Sequence, residues 1–144
     1  MKRFSRVYVE ITNICNRACS FCPGTVREGR RMSREEFLHI ATELRPYTDY
    51  LYFHLMGEPL THPLLPELIG LGTELGFKCA ITTNGTLIKK RSEELLSSGV
   101  YKVNISVHSF EDESVEEHIS YLESVADFAR EASARGILTV LRLW

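Results

Sequence analysis

No stretch of this sequence approaches the roughly 18 consecutive apolar residues that a membrane helix requires. A membrane-embedded protein is therefore not expected. Charge of one sign is also lacking: 17 basic residues face 19 acidic ones, for a formal net charge of −2. Neither nucleic acid nor an anionic membrane gains an electrostatic hold on such a chain. The basic start Met1-Lys2-Arg3 leads only into the short run Val7-Tyr8-Val9, which Glu10 interrupts, and no small-residue cleavage site follows. No secretory signal is read, and a cytoplasmic location is expected. Low-complexity segments, linkers and charge blocks are missing as well. Cysteine is scarce, four in 144 residues, too few for a disulfide scaffold of this size.

What is present is ordinary in bulk and unusual in detail. The 44% apolar and 25% charged content suits a folded globular chain and excludes a disordered tail or a collagen-like fibre. The length predicts one domain, over residues 1–144. Along it, strand-like and helix-like patterns alternate. Val7 to Thr12 reads as a strand with Tyr8, Glu10 and Thr12 on one face. Ser33-Arg34-Glu35-Glu36 is a capping box that opens a helix striped by Phe37, Ile40, Ala41 and Leu44 and ended by Pro46. Tyr50 to Met56 is an aromatic-rich second strand. Leu64, Leu68, Leu71 and Leu75 stripe a second helix that Gly76 closes.

Lys78 to Thr83 predicts a third strand, ending at the turn dipeptide Asn84-Gly85. A short helix around Arg91 to Ser98 follows. Lys102 to His108 is a fourth strand, with Val103, Ile105 and Val107 on one face and Asn104, Ser106 and His108 on the other. A second capping box at Ser114-Val115-Glu116-Glu117 starts a long helix striped by Val115, Ile119, Leu122, Ala126 and Ala129. Gly136 ends it, and Ile137 to Leu143 is a fifth strand.

Such alternation predicts an α/β fold with parallel strands and helices outside. Polar residues on one strand face favour a sheet curled towards a barrel over an open sheet covered on both sides. A complete eight-unit barrel needs roughly 200 residues or more. Five strands and an uncovered last run, Leu141-Arg142-Leu143-Trp144, predict a barrel truncated after strand five and a domain incomplete at its C-terminal end.

Three of the cysteines, Cys15, Cys19 and Cys22, fall in one short loop after the first strand. Three thiolates suffice to hold a [4Fe–4S] cluster by three corners and leave the fourth iron for another ligand. A zinc site completed by histidine and a reactive Cys19-x2-Cys22 dithiol use the same residues, although structural zinc normally draws on two ligand pairs and no second pair follows. Cys79, alone on the third strand, reads as a small core residue. The remaining unusual features also lie at carboxyl ends of strands: Gly57-Glu58-Pro59 after strand two, Thr83-Asn84-Gly85 after strand three, Ser106 and His108 at the end of strand four. In α/β sheets and barrels that edge is where ligands bind. Each pair alone is an ordinary turn signal; together they predict one mouth.

With these residues in view, the sequence resembles the radical S-adenosylmethionine (SAM) superfamily. The resemblance rests on Cys15-Asn16-Arg17-Ala18-Cys19-Ser20-Phe21-Cys22 after Val9-Glu10-Ile11-Thr12, then Gly-Glu-Pro, Thr-Asn-Gly and a serine in strand four, in the family's order from Val7 to about His108. It implies a partial (βα)6 barrel in which a [4Fe–4S] cluster on Cys15, Cys19 and Cys22 reductively cleaves SAM. The resulting 5′-deoxyadenosyl radical would abstract hydrogen from a peptide, a small molecule or a cofactor precursor. The resemblance also implies a reducing partner such as flavodoxin or ferredoxin. For SAM it implies contacts from Phe21 near the adenine, Gly57 and Glu58 at the methionine, Ser106 near the ribose, and Thr83 and Asn84 at the mouth. Many relatives carry Gly-Gly-Glu-Pro where this chain has Met56-Gly57-Glu58-Pro59, and the sixth barrel unit is not in the sequence. A glycyl-radical activating enzyme and, from another class, a non-catalytic zinc-binding or interaction domain are the competing readings.

Other polar residues have plainer readings beside the functional ones. His54 and His108, on strands, either face the interior or sit in the core. His39 and His118 are expected in solvent, and His62 as a helix cap. Glu10 is either a pocket residue or a salt-bridge partner, since a buried carboxylate must be paired or protonated. Arg27, Arg30 and Arg31 either hold an anion or form a solvated charge run.

Overall fold

The computed structural model describes residues 3–111 and 113–143. Met1 and Lys2 of the basic start and Trp144 of the last run lie outside the described residues. Five parallel strands make one sheet in the order β1-β2-β3-β4-β5. They are Val7–Tyr8 (β1), Tyr50–Phe53 (β2), Lys78–Thr83 (β3), Lys102–Ser106 (β4) and Leu138–Arg142 (β5). Between them run the helices Arg34–Leu44 (α1), Leu65–Glu74 (α2), Ile88–Leu96 (α3) and Val115–Ala134 (α4). A doubly wound sheet reverses strand order at a switch point. Strictly sequential order has no such point and is that of a barrel wall, as the polar strand faces indicated.

Several elements differ from the sequence reading, each for a physical reason. The run from Val7 to Thr12 divides between two partners. Val7 and Tyr8 pair with β2, while the Met32 amide bonds the Ile11 carbonyl and Thr12 bridges Arg31 antiparallel. The second strand stops at Phe53 because the chain then turns through Leu55, at φ 146°, and Gly57, at φ 83°. The fourth ends at Ser106, where Val107–Ser109 tightens into a 3₁₀ turn. Both capping boxes form as read, at Ser33 with Glu36 and at Ser114 with Glu117.

The helix faces are where the reading slips. In α2 the buried set is Leu65, Leu68, Ile69 and Gly72, and Leu64 lies ahead of the helix as its cap. In α4 the expected stripe faces solvent, with Val115, Ile119 and Leu122 all exposed. The core side is Tyr121, Val125, Phe128 and Ala132. Both sets have helical spacing, so periodicity alone could not choose; the sheet took the face with the two aromatic rings. Phe128→Ala should accordingly cost about 3–5 kcal/mol of unfolding free energy, and Ile119→Ala about 0.5 or less. Urea midpoints of the two variants check this, and equal losses would return the buried face to Ile119.

The sheet's two faces are distinct. Leu51, Phe53, Cys79, Ile81, Val103 and Ile105 are buried within the continuous apolar core. Cys79 is part of that core, and burial pushes its thiol up to about 12. Alternation then puts His54, Thr82, Ser106 and Arg142 on the opposite, concave side.

Candidate active site

The loops that follow β1, β2, β3 and β4 meet around one cavity of about 510 Å³. Cys15, Cys19, Cys22, Phe21, Gly57, Glu58, Thr83, Asn84 and Ser106 all line it, as do His54 and His108. Alternation in the sequence put these groups at one edge; the structure places them around one space.

Hydrogen bonds between loops fix the arrangement. The cysteine loop is tied to the β3 end by Asn84, whose amide donates to Asn16 Oδ1 at 3.0 Å and to Cys15 Sγ at 3.9 Å, while Asn16 donates to Thr86 Oγ1 at 2.8 Å. It is tied to the β4 end by Arg17, paired with Glu113 at 2.6 Å and donating to the Glu111 carbonyl at 2.9 Å. The Ser20 hydroxyl adds a bond to Glu111 at 2.7 Å. None of Asn16, Arg17, Ser20 or Glu111 stood out in the sequence, because isolated polar residues on loops carry no periodic signal.

Glu58 sits at the centre of this scaffold, 2% exposed. Its carboxylate accepts from the Thr83 hydroxyl at 2.6 Å, the Asn84 amide at 2.7 Å and the Leu60 amide at 3.0 Å. Thr83 Oγ1 itself accepts from the Gly85 amide, so its proton is directed at Glu58. Burial raises the Glu58 pKa, and these donors oppose that rise. All three of these partners donate, which is the arrangement that opposes protonation of a buried carboxylate. Two glycines make the contacts possible. At Gly57 a Cβ would collide with the Thr12 and Asn13 backbone, so the glycine lets two loops touch. At Gly85, φ 77°, a Cβ would meet Ile105 and the Tyr121 hydroxyl, which bonds the Asn84 carbonyl at 2.8 Å.

The remaining polar residues sort by position. Glu10 is a salt-bridge partner, 2.6 Å from Arg27, and also accepts from the Met56 amide. Arg30 pairs with Glu36, so two of the three loop arginines are spent on carboxylates. His62 is buried: its Nδ1 accepts from the Leu64 amide and its Nε2 faces the Met32 carbonyl, a cap as expected. His39 is exposed. His118 departs from expectation; it is half-buried against the Phe110 ring, 5.5 Å between centroids. At the cavity rim Phe21, 57% exposed, stands 5.1 Å from the His108 ring.

The donor set fits an iron–sulfur cluster. Among the described residues no three His, Cys, Asp or Glu side chains converge on a point that one metal ion would occupy. Cys15, Cys19 and Cys22 all line one cavity, as ligands to separate irons of one cluster would. Asn84 Nδ2 donates to Cys15 Sγ at 3.9 Å, and the Gly24 amide donates to Cys22 Sγ at 3.5 Å, so both sulfurs are oriented by outer-shell donors. Partial burial of its sulfur raises the Cys15 thiol pKa, with the Arg17 amide opposing. Among the described residues no helix is long and apolar enough to cross a membrane.

Comparison with known proteins agrees with this geometry. The Radical SAM superfamily model matches residues 9–144. A probable GTP 3′,8-cyclase of Methanocella arvoryzae is 33% identical over 113 residues, which is 76% of this chain and 36% of that protein. The S-adenosyl-L-methionine-dependent 2-deoxy-scyllo-inosamine dehydrogenase of Niallia circulans is 31% identical over 116 residues, 75% of this chain and 46% of that protein. The chain thus spans less than half the length of these curated relatives. The crystal structure of BtrN in complex with AdoMet and 2-DOIA superposes with a TM-score of 0.70 at 25% identity, over 99% of this chain and 58% of that one. SuiB of Streptococcus suis bound to the precursor peptide SuiA shares the fold, with a TM-score of 0.72 at 20% identity over 98% of this chain and 33% of that one. The cofactors of this family are a [4Fe–4S] cluster and SAM, and the three thiols and the cavity beside them suit both. By its matched length, its strand order and its cysteine loop, the chain belongs to the radical SAM superfamily.

Proposed function

We propose that this chain supplies the cluster- and SAM-binding wall of an enzyme that abstracts hydrogen from a small-molecule or peptide substrate. The observation that carries the reading is the single cavity shared by Cys15, Cys19 and Cys22 and the ends of β2, β3 and β4. When bound, the cluster and SAM supply one-electron reductive cleavage of a carbon–sulfur bond and so a hydrogen-abstracting radical. The electron comes from a small reducing protein of the flavodoxin or ferredoxin kind.

The chain's own residues bind and orient. Cys15, Cys19 and Cys22 would hold the cluster, with SAM in the cavity beside it. A carboxylate offers about four acceptor sites; three on Glu58 go to protein donors, leaving one towards the SAM ammonium. Gly57 keeps the loop close beside it. Phe21, beside His108, offers a face to the adenine, and Ser106 a hydroxyl near the ribose. Thr83 and Asn84 act at the mouth chiefly by holding Glu58 and the cysteine loop in place. The names of the two curated relatives, one for GTP and one for 2-deoxy-scyllo-inosamine, favour a small molecule over a peptide.

Anaerobic reconstitution with iron and sulfide, followed by SAM and a strong reductant, tests the reading. 5′-Deoxyadenosine should appear in the parent chain and vanish in each cysteine-to-alanine variant. A chain that takes up zinc without inorganic sulfide would instead favour the non-catalytic metal-binding reading.

A further inference from the structure

We propose that Arg142 forms an oxyanion subsite at the cavity mouth, binding a carboxylate or phosphate of the small molecule held there. The inference rests on the reading of the cavity as a SAM and substrate site. Arg142 is the last residue of β5 and lies in register with Ser106 of β4, as Val140 does with Asn104. It therefore shares the concave face with Ser106, and it lines the same cavity as the three cysteines. Its carbonyl lies 3.3 Å from His108 Nδ1, which anchors the strand end beside the 3₁₀ turn after β4.

The charge balance of the cavity makes this residue stand apart. Arg17, the other arginine of the lining, is committed to Glu113 and to the Glu111 carbonyl. Glu58 also lines the cavity, but three of its acceptor sites are taken by protein donors and the fourth is left for the SAM ammonium. Arg142 is half-buried and has no carboxylate partner among the described residues. Its positive charge is felt across the mouth by His54, at the end of β2, where burial and then Arg142 lower the imidazole pKa. Curvature of the sheet thus brings a strand-two histidine and a strand-five arginine to face one space. A guanidinium carries five donors in a planar fork that matches carboxylate and phosphate oxygens, and it stays charged at any working pH. Partly desolvated and without a counter-charge among the described residues, it gains most from a bound oxyanion. Two sources share that chemistry: the carboxylate of SAM itself, and an anionic group on the substrate.

Calorimetric titration of the cluster-loaded chain with SAM, inorganic tripolyphosphate and succinate separates them. Arg142→Gln should weaken at least one of these by about tenfold or more, and Arg142→Lys by less, because a single ammonium cannot form the two-pronged contact. Arg34→Gln, which breaks a surface pair with Glu67, should change none. Loss confined to SAM assigns the subsite to the SAM carboxylate; loss confined to tripolyphosphate or succinate assigns it to the substrate. Unchanged affinities in Arg142→Gln, or no binding of any probe by the parent chain, overturn the subsite. A parent chain that binds tripolyphosphate through Arg142 but takes up neither cluster nor SAM would overturn the SAM reading and leave the subsite standing.

Discussion

Replacing Cys19 by alanine is expected to abolish retention of iron and inorganic sulfide while shifting the unfolding free energy by no more than about 0.5 kcal/mol. The two halves of that expectation come from different parts of the structure. Cys19 is only half-buried, and among the described residues its thiol makes one hydrogen bond, to the Ser109 carbonyl at 3.7 Å, so little of the fold depends on its side chain. The loop that carries it is held by other residues: Asn16 on Thr86, Arg17 on Glu113, Ser20 on Glu111. A variant that loses the cluster therefore reports the missing ligand and not a displaced loop. The same outcome is expected for Cys15 and Cys22. Iron and acid-labile sulfide analysis beside circular dichroism checks it, and full retention of both elements in any one of the three variants would remove that cysteine from the ligand set.

Glu58→Ala should behave in the opposite way, lowering the unfolding free energy by about 3–5 kcal/mol. Truncation strands two backbone amides and a hydroxyl, those of Leu60, Asn84 and Thr83, at a position 2% exposed. Each buried donor left unmade costs about 1–3 kcal/mol, against a total stability of about 5–15 kcal/mol for a domain. Thr83→Val removes one of the three donors to Glu58 and the acceptor of the Gly85 amide, and should cost about 1–3 kcal/mol. Urea unfolding of both variants gives the comparison. A Glu58→Ala chain as stable as the parent would mean that the Gly-Glu-Pro and Thr-Asn-Gly loops do not depend on this carboxylate for their relative placement.

The two variants divide the site into ligands and scaffold, and the sequence spoke far more clearly about the ligands. Cys15, Cys19 and Cys22 are legible because three reactive side chains at fixed spacing are rare by chance. Gly57, Glu58, Thr83 and Asn84 are legible as turn residues, but their mutual bonds are not, since they lie about 25 residues apart along the chain. Arg17, Glu111 and Tyr121 were silent. The first two are single polar residues on loops. Tyr121 was hidden by the phase of α4, where Val115, Ile119 and Leu122 offered an equally regular stripe that faces solvent. The first strand was overextended because an alternating run does not say which partner each half will take; residues 11 and 12 pair with residues 31 and 32 and leave the sheet.

By itself, then, the amino-acid order determined the α/β class, the parallel strands, both capping boxes and the edge at which the chemistry gathers. Those follow from interactions between near neighbours: period-two and helical patterning, a serine three residues before a glutamate, turn residues at strand ends. The tertiary structure decided which helix faces meet the sheet, that Glu58 ties two strand ends together, and that His54, just after the second strand, and Arg142, at the end of the fifth, share one cavity. These depend on sheet curvature and on which of two apolar stripes fills the core better, and neither is fixed until distant segments pack.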